Sequence, residues 1–83
     1  MMPLAMCVPG DYVEIEMIRG RRLKERLMAM GIGEGMRVRV LQGHGLGVIL
    51  AAENTRVAIG RGAAHKVLVR ALNGSEQESL TPT

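Results

Sequence analysis

Short runs of alternating apolar residues, each cut off by glycine or another turn residue, constrain this chain more than any other feature. Residues 12–18 place Val13, Ile15 and Met17 on one face and Glu14, Glu16 and Ile18 on the other, the period of a half-buried strand. Pro9-Gly10 ahead of them is a turn signal. Residues 36–42 alternate again, with Arg37 and Arg39 opposite Val38 and Val40. Gly43-His44-Gly45-Leu46-Gly47 then has three glycines in five positions and predicts a mobile hairpin tip. Residues 48–53 and 56–60 flank Asn54-Thr55, and because Asn tolerates positive φ a tight hairpin is expected there. Residues 61–66 suit a single helical or 3₁₀ turn, and residues 67–72 close the pattern with Val67 and Val69 against Leu68 and Arg70.

One segment has a different period. Leu23, Leu27 and Met30 recur at i, i+4 and i+7 while Arg21, Arg22, Lys24, Glu25 and Arg26 fall elsewhere on the wheel, which predicts an amphipathic helix of about three turns. Gly31 follows, where a left-handed residue costs least, so the helix is expected to stop at Met30. The order is strand, helix, then four strands, with no βαβ rhythm and no internal repeat. Strands this short predict a mainly β fold, a small antiparallel barrel of about five strands with one α-helix inserted after the first. Residues 1–72 are expected to form this one domain. Residues 73–83 are polar, contain Pro82 and lack periodicity, and are expected to be disordered.

Composition narrows the functional classes. A chain of 83 residues hides only about 60% of the surface its unfolded form exposes, so its core is thin and leaves little room for a buried active site. No enzyme activity and no cofactor are expected. The apolar residues are Val, Leu, Ile, Ala and seven Met, with no Phe or Trp and only Tyr12. Cys7 is alone, whereas a secreted domain of this size usually needs several disulfides, so a reducing, cytoplasmic setting is expected. The opening residues 1–8 are apolar but lack a basic segment and run at once into Pro9-Gly10-Asp11, unlike a signal peptide. No run approaches the roughly 20 apolar residues that span a bilayer, so no membrane insertion is expected. All eleven Lys/Arg and six of the eight Asp/Glu fall in residues 1–72, which leaves that part at +5; Glu76 and Glu78 lie beyond it.

The candidate sites follow from that charge. Arg19, Arg21, Arg22, Lys24 and Arg26 surround Glu25 alone, either as a solvated helix face or as a docking surface for an acidic protein. Nucleic acid is the weaker reading, because single-strand binders add aromatic stacking platforms to their basic groove and this chain has one Tyr. The metal-ligand candidates Cys7, His44 and His65 are far apart and form no Cys-x-x-Cys or His-x-x-x-His pattern, so no metal site is expected. No catalytic residue is expected either, because a Cys/His nucleophile would need a third, orienting group. The glycines at 31, 33 and 35 follow the helix and lack the Gly-Lys-Ser/Thr of a phosphate loop. Leu46, apolar on the glycine tip, either folds back on its own barrel or contacts a partner.

Three segments resemble the FeoA family in order and spacing: Pro9-Gly10-Asp11-Tyr12-Val13-Glu14-Ile15, then Arg26 through Val38 with its Leu27-Met28-Ala29-Met30-Gly31-Ile32 core, then Val57 through Val69 with Gly60-Arg61-Gly62. The resemblance covers roughly residues 4–72. Where many members have proline and glycine, this chain has Val48 and Asn54. The resemblance implies an SH3-like barrel and a cytoplasmic helper of ferrous iron uptake that contacts the GTP-binding part of the FeoB transporter. Arg19, Arg22, Lys24, Arg26, His44 and Leu46 are the expected partner-binding residues. The alternative is an RNA-binding small barrel using the basic helix, and weak self-association through a strand edge is left open.

Overall fold

Among residues 1–72, which the computed structural model describes, six strands and two helices form. They are β1 (Met2–Pro3), β2 (Tyr12–Ile18), α1 (Arg21–Ala29), β3 (Arg37–His44), β4 (Gly47–Ala52), β5 (Thr55–Gly60), α2 (Arg61–Ala64) and β6 (Val67–Ala71), with a 3₁₀ turn at Leu4–Met6 after β1. The expected disordered tail, 73–83, lies outside the described residues. All strands join one antiparallel sheet in the order β1–β6–β2–β3–β4–β5. The sheet curls around a single core, because the 3₁₀ turn touches both β6 and β4, which are not neighbours in the sheet. Leu4 from that turn is buried beside Val13, Ile15, Val38, Val40, Leu50, Val67 and Val69. The structure thus has the mainly β architecture expected, with one strand more than five. The extra strand, β1, spans two residues, too few to show a period, and its Pro3 sits on a sheet edge where a missing N–H is tolerated.

Strand β2 departs from simple alternation. Val13 and Ile15 point inward as expected, but the register against β6 shifts between Ile15 and Met17. That irregularity moves Met17 outward and turns Ile18 into the core, the reverse of the predicted faces, because one extra residue inverts a period-two pattern.

The helix end also differs in detail. Met30 caps α1 and is 43% exposed, so it is not the third member of the apolar stripe. The Gly31 amide donates to Met28 and the Ile32 amide to Leu27. With Gly31 at φ +87°, this is a Schellman ending, which brings a hydrophobic residue after the glycine back over the last turn. Ile32, fully buried with Leu27, takes the place expected for Met30.

The predicted mobile tip is mostly strand. β3 and β4 continue to the pair His44–Gly47, leaving Gly45-Leu46 as the turn. Gly47 permits this because its backbone passes so close to the Ile59 carbonyl that any Cβ would collide with it. The second hairpin turns on Glu53-Asn54, not Asn54-Thr55, and Glu53, not Asn54, takes positive φ, at +53°. α2 and β6 form where expected.

Candidate partner-binding surface

The basic cluster is carried by α1 and the residue before its cap. Arg19, Arg21, Arg22 and Arg26 are exposed, while Leu23 and Leu27 on the opposite stripe enter the core. No acidic residue lies in the first turn, and Gly20 offers no side-chain cap. Arg21 and Arg22 therefore stand at the end of the helix where unpaired N–H groups already carry partial positive charge, an arrangement that costs about 0.3–1 kcal/mol per charge. Arg22 and Arg26 are also spaced i, i+4, where like charges repel by a few tenths of a kcal/mol, about 0.2–0.5. Local stability alone would place carboxylates in these positions.

Lys24 is used differently. Its Nζ lies 3.0 Å from Glu34 Oε1, and the other Glu34 oxygen accepts the Ile18 amide at 3.0 Å. The Ile18 bond, then the Lys24 ammonium, hold the Glu34 carboxyl below its ordinary value. Glu34 thus ties the helix to the end of β2. No spacing rule points to this pairing, since nine residues, a helix end and a glycine turn lie between Lys24 and Glu34.

Leu46 is 83% exposed on the β3–β4 turn, and Arg61 Nη1 donates to the neighbouring Gly45 carbonyl oxygen at 3.4 Å. His44 ends β3 opposite Gly47. The expected contact residues therefore form two groups anchored on different elements: Arg19, Arg22, Lys24 and Arg26 around α1, and His44 and Leu46 on a tip held from α2. Exposed Met28 and Met30 add apolar surface to the helix group.

The fold also joins residues that are distant in sequence. Cys7 and His65 line one cavity of about 230 Å³ together with Ala5, Gly43, Gly45, Gly47, Val48 and Arg61. Burial, reinforced by Asp11, pushes the Cys7 thiol up to about 11, so it is neutral near pH 7 and a poor ligand or nucleophile. Among the described residues no three His, Cys, Asp or Glu side chains are grouped to hold a metal ion. On the outer face of the sheet, Arg39 lies over the Tyr12 ring at 5.0 Å and donates to the Gly10 carbonyl oxygen, so the lone aromatic side chain already has a cation against it. Arg70 binds Glu14 and Glu16 at 2.9 and 2.8 Å, and Arg37 approaches Glu14 at 3.6 Å, which neutralises much of this face. Among the described residues no helix is long and apolar enough to cross a membrane.

Comparison with known proteins agrees with this architecture. The FeoA domain model matches residues 2–71. A candidate Fe(2+) transport protein A of Methanocaldococcus jannaschii is 37% identical over 82 residues, which cover 96% of this chain and 100% of the relative. The crystal structure of an iron uptake regulatory protein, FeoA, superposes with a TM-score of 0.78 at 36% identity, over 86% of this chain and 97% of that one. The solution structure of FeoA from Chlorobium tepidum gives 0.76 at 25% identity, over 88% and 72%. A manganese-dependent transcriptional repressor shares the fold at a TM-score of 0.78 and 24% identity, through 41% of its own length. With its SH3-like sheet, its single long helix and a family match across nearly all described residues, the chain belongs to the FeoA family of ferrous iron transport proteins.

Proposed function

We propose that this protein is a cytoplasmic accessory module of ferrous iron uptake that works by binding, without catalysis of its own, to the cytoplasmic GTP-binding part of an FeoB-type transporter. The observation that carries this reading is the first turn of α1, where arginines occupy positions that helix electrostatics disfavour. Residues that break a local rule without a local compensation are expected at functional sites. Arg19, Arg22 and Arg26 steer approach to an acidic surface, and Met28, Met30 and Leu46 supply apolar anchors. Lys24 acts mainly through Glu34, by fixing the helix that presents the arginines.

The test is an amide chemical-shift titration of the labelled protein with the GTP-binding region of its cognate transporter, with GDP and with a GTP analogue. Shifts centred on residues 19–30 and 43–48 are expected, and the Arg22→Glu/Arg26→Glu double variant should lose them while staying folded. Wild-type affinity in that variant would sink the proposal.

A further inference from the structure

Strand β5 closes the sheet on one side and is itself unpaired on the other: among the described residues no strand lies beyond it. Its inner bonds are fixed by the register. Ala52 and Thr55 flank a two-residue turn, so they form a hydrogen-bonded pair, and the amide and carbonyl groups of Arg56 and Ala58 must then point away from β4. The neighbouring ladder agrees, since Val40, paired with Leu50, sends its amide away from β4 to the Asp11 carbonyl.

Exposed edges in natural sheets are commonly blunted by proline, lysine, a bulge or a covering loop. β5 reads Thr55-Arg56-Val57-Ala58-Ile59-Gly60, with no proline, a single charge at Arg56 near its start, and it pairs with β4 without a register shift. Beside the edge runs an apolar groove of about 200 Å³ lined by Leu46, Val48, Ile49, Ala58, Ile59 and flanking glycines. The edge and the groove are adjacent and share Ala58, Ile59 and Gly60.

We infer that the β5 edge is a pairing site for a second copy of this chain, joined antiparallel across a two-fold axis at Ala58. The strand is self-complementary in this register. Ala58 exchanges backbone bonds with its equivalent, small side chains meet at the axis, and Arg56 faces Gly60 of the second copy. Centring the axis on Val57 would instead bring the two Arg56 side chains into diagonal contact, where like charges repel. The apolar grooves of the two copies then lie side by side across the axis. A single six-residue strand on each side falls well short of the roughly 1,600 Å² of a standard stable interface, so the dimer is weak and forms only at high concentration.

Sedimentation velocity and amide shifts of the full 83-residue chain, measured from about 10 µM to about 1 mM, test this. A concentration-dependent rise in mass is expected, with shifts centred on residues 55–60. Ala58→Lys sets two ammonium groups against each other at the axis, and Ala58→Pro removes the central outward donor while leaving the β4 ladder intact; each should hold the protein monomeric. A wild-type chain that stays monomeric throughout overturns the inference, as does a dimer that both variants leave unchanged. FeoB binding is read in a separate titration, so either result stands without the other.

Discussion

Arg22→Glu should make this protein more stable while making it bind worse. The substitution removes a cation from the N-terminal turn of α1 and puts an anion there, a helix-dipole gain of about 0.5–1 kcal/mol for an exposed site. It also replaces the Arg22/Arg26 repulsion with an attractive pair in the favoured order, acid before base, for about 0.3–0.5 kcal/mol more. Against these gains, the introduced carboxylate stands i, i+3 from Glu25, where like charges cost about 0.2–0.5 kcal/mol. The net is roughly 0.5 kcal/mol, a rise in Tm of about 2–4 °C in a domain of this size. With no Trp and one Tyr, far-UV circular dichroism under thermal and urea denaturation is the practical assay. The same variant should weaken binding to the acidic partner about tenfold or more, a loss of about 1.4 kcal/mol. A variant destabilised by about 1 kcal/mol would refute the electrostatic reasoning, since it would mean that Arg22 makes a stabilising contact that outweighs the dipole. A stabilised variant with wild-type affinity would leave the helix reasoning intact and remove the arginines from the interface.

Other expectations follow from single residues. Glu53→Gly relieves a non-glycine residue at φ +53° and should raise stability by about 0.5–1 kcal/mol in urea titration; a loss would show that the Glu53 side chain contributes more than its backbone costs. Gly47→Ala drives a Cβ into the Ile59 carbonyl and should cost about 2 kcal/mol or more, read as a fall in the urea midpoint; near-neutral behaviour would mean the hairpin shifts easily. Because the Glu34 pKa is lowered, its stabilising effect is complete above the ordinary 4.5 and disappears as pH falls through the depressed folded value, so Glu34→Gln should flatten the acid limb of a stability–pH curve. The Cys7 thiol, raised from 9.0 to about 11, favours the protonated folded state, so its contribution is full below pH 9 and is lost as pH rises toward 11. Alkylation of native Cys7 should accordingly be slow at neutral pH and fast once the chain is unfolded.

The elements were legible where a local pattern met no tertiary exception. β2 runs over the predicted residues because a Pro-Gly turn and period two agree, and α2 and β6 follow for similar reasons. The misses share a cause. Ile18 and Met17 exchanged faces because a bulge depends on what the partner strand requires, and Met30 yielded to Ile32 because the Schellman turn redirects the chain after the helix. Glu53 adopts positive φ because hairpin register, set by the strands on either side, outweighs the preference of Asn for that conformation. The arginine cluster was visible as charge density in sequence. The Lys24–Glu34 pair and the shared cavity of Cys7 and His65 were not, since each is made by chain reversals that no spacing rule encodes.

The Glu34 carboxylate acts as a pin through three parts of the molecule: the ammonium on α1, the last amide of β2, and the glycine turn from which it projects. A load applied to the arginine face is therefore felt at the Ile18 amide, whose residue is held in the core by its buried side chain. That one proton is a built-in strain gauge: its resonance should move when the helix is displaced and Glu34 is drawn with it.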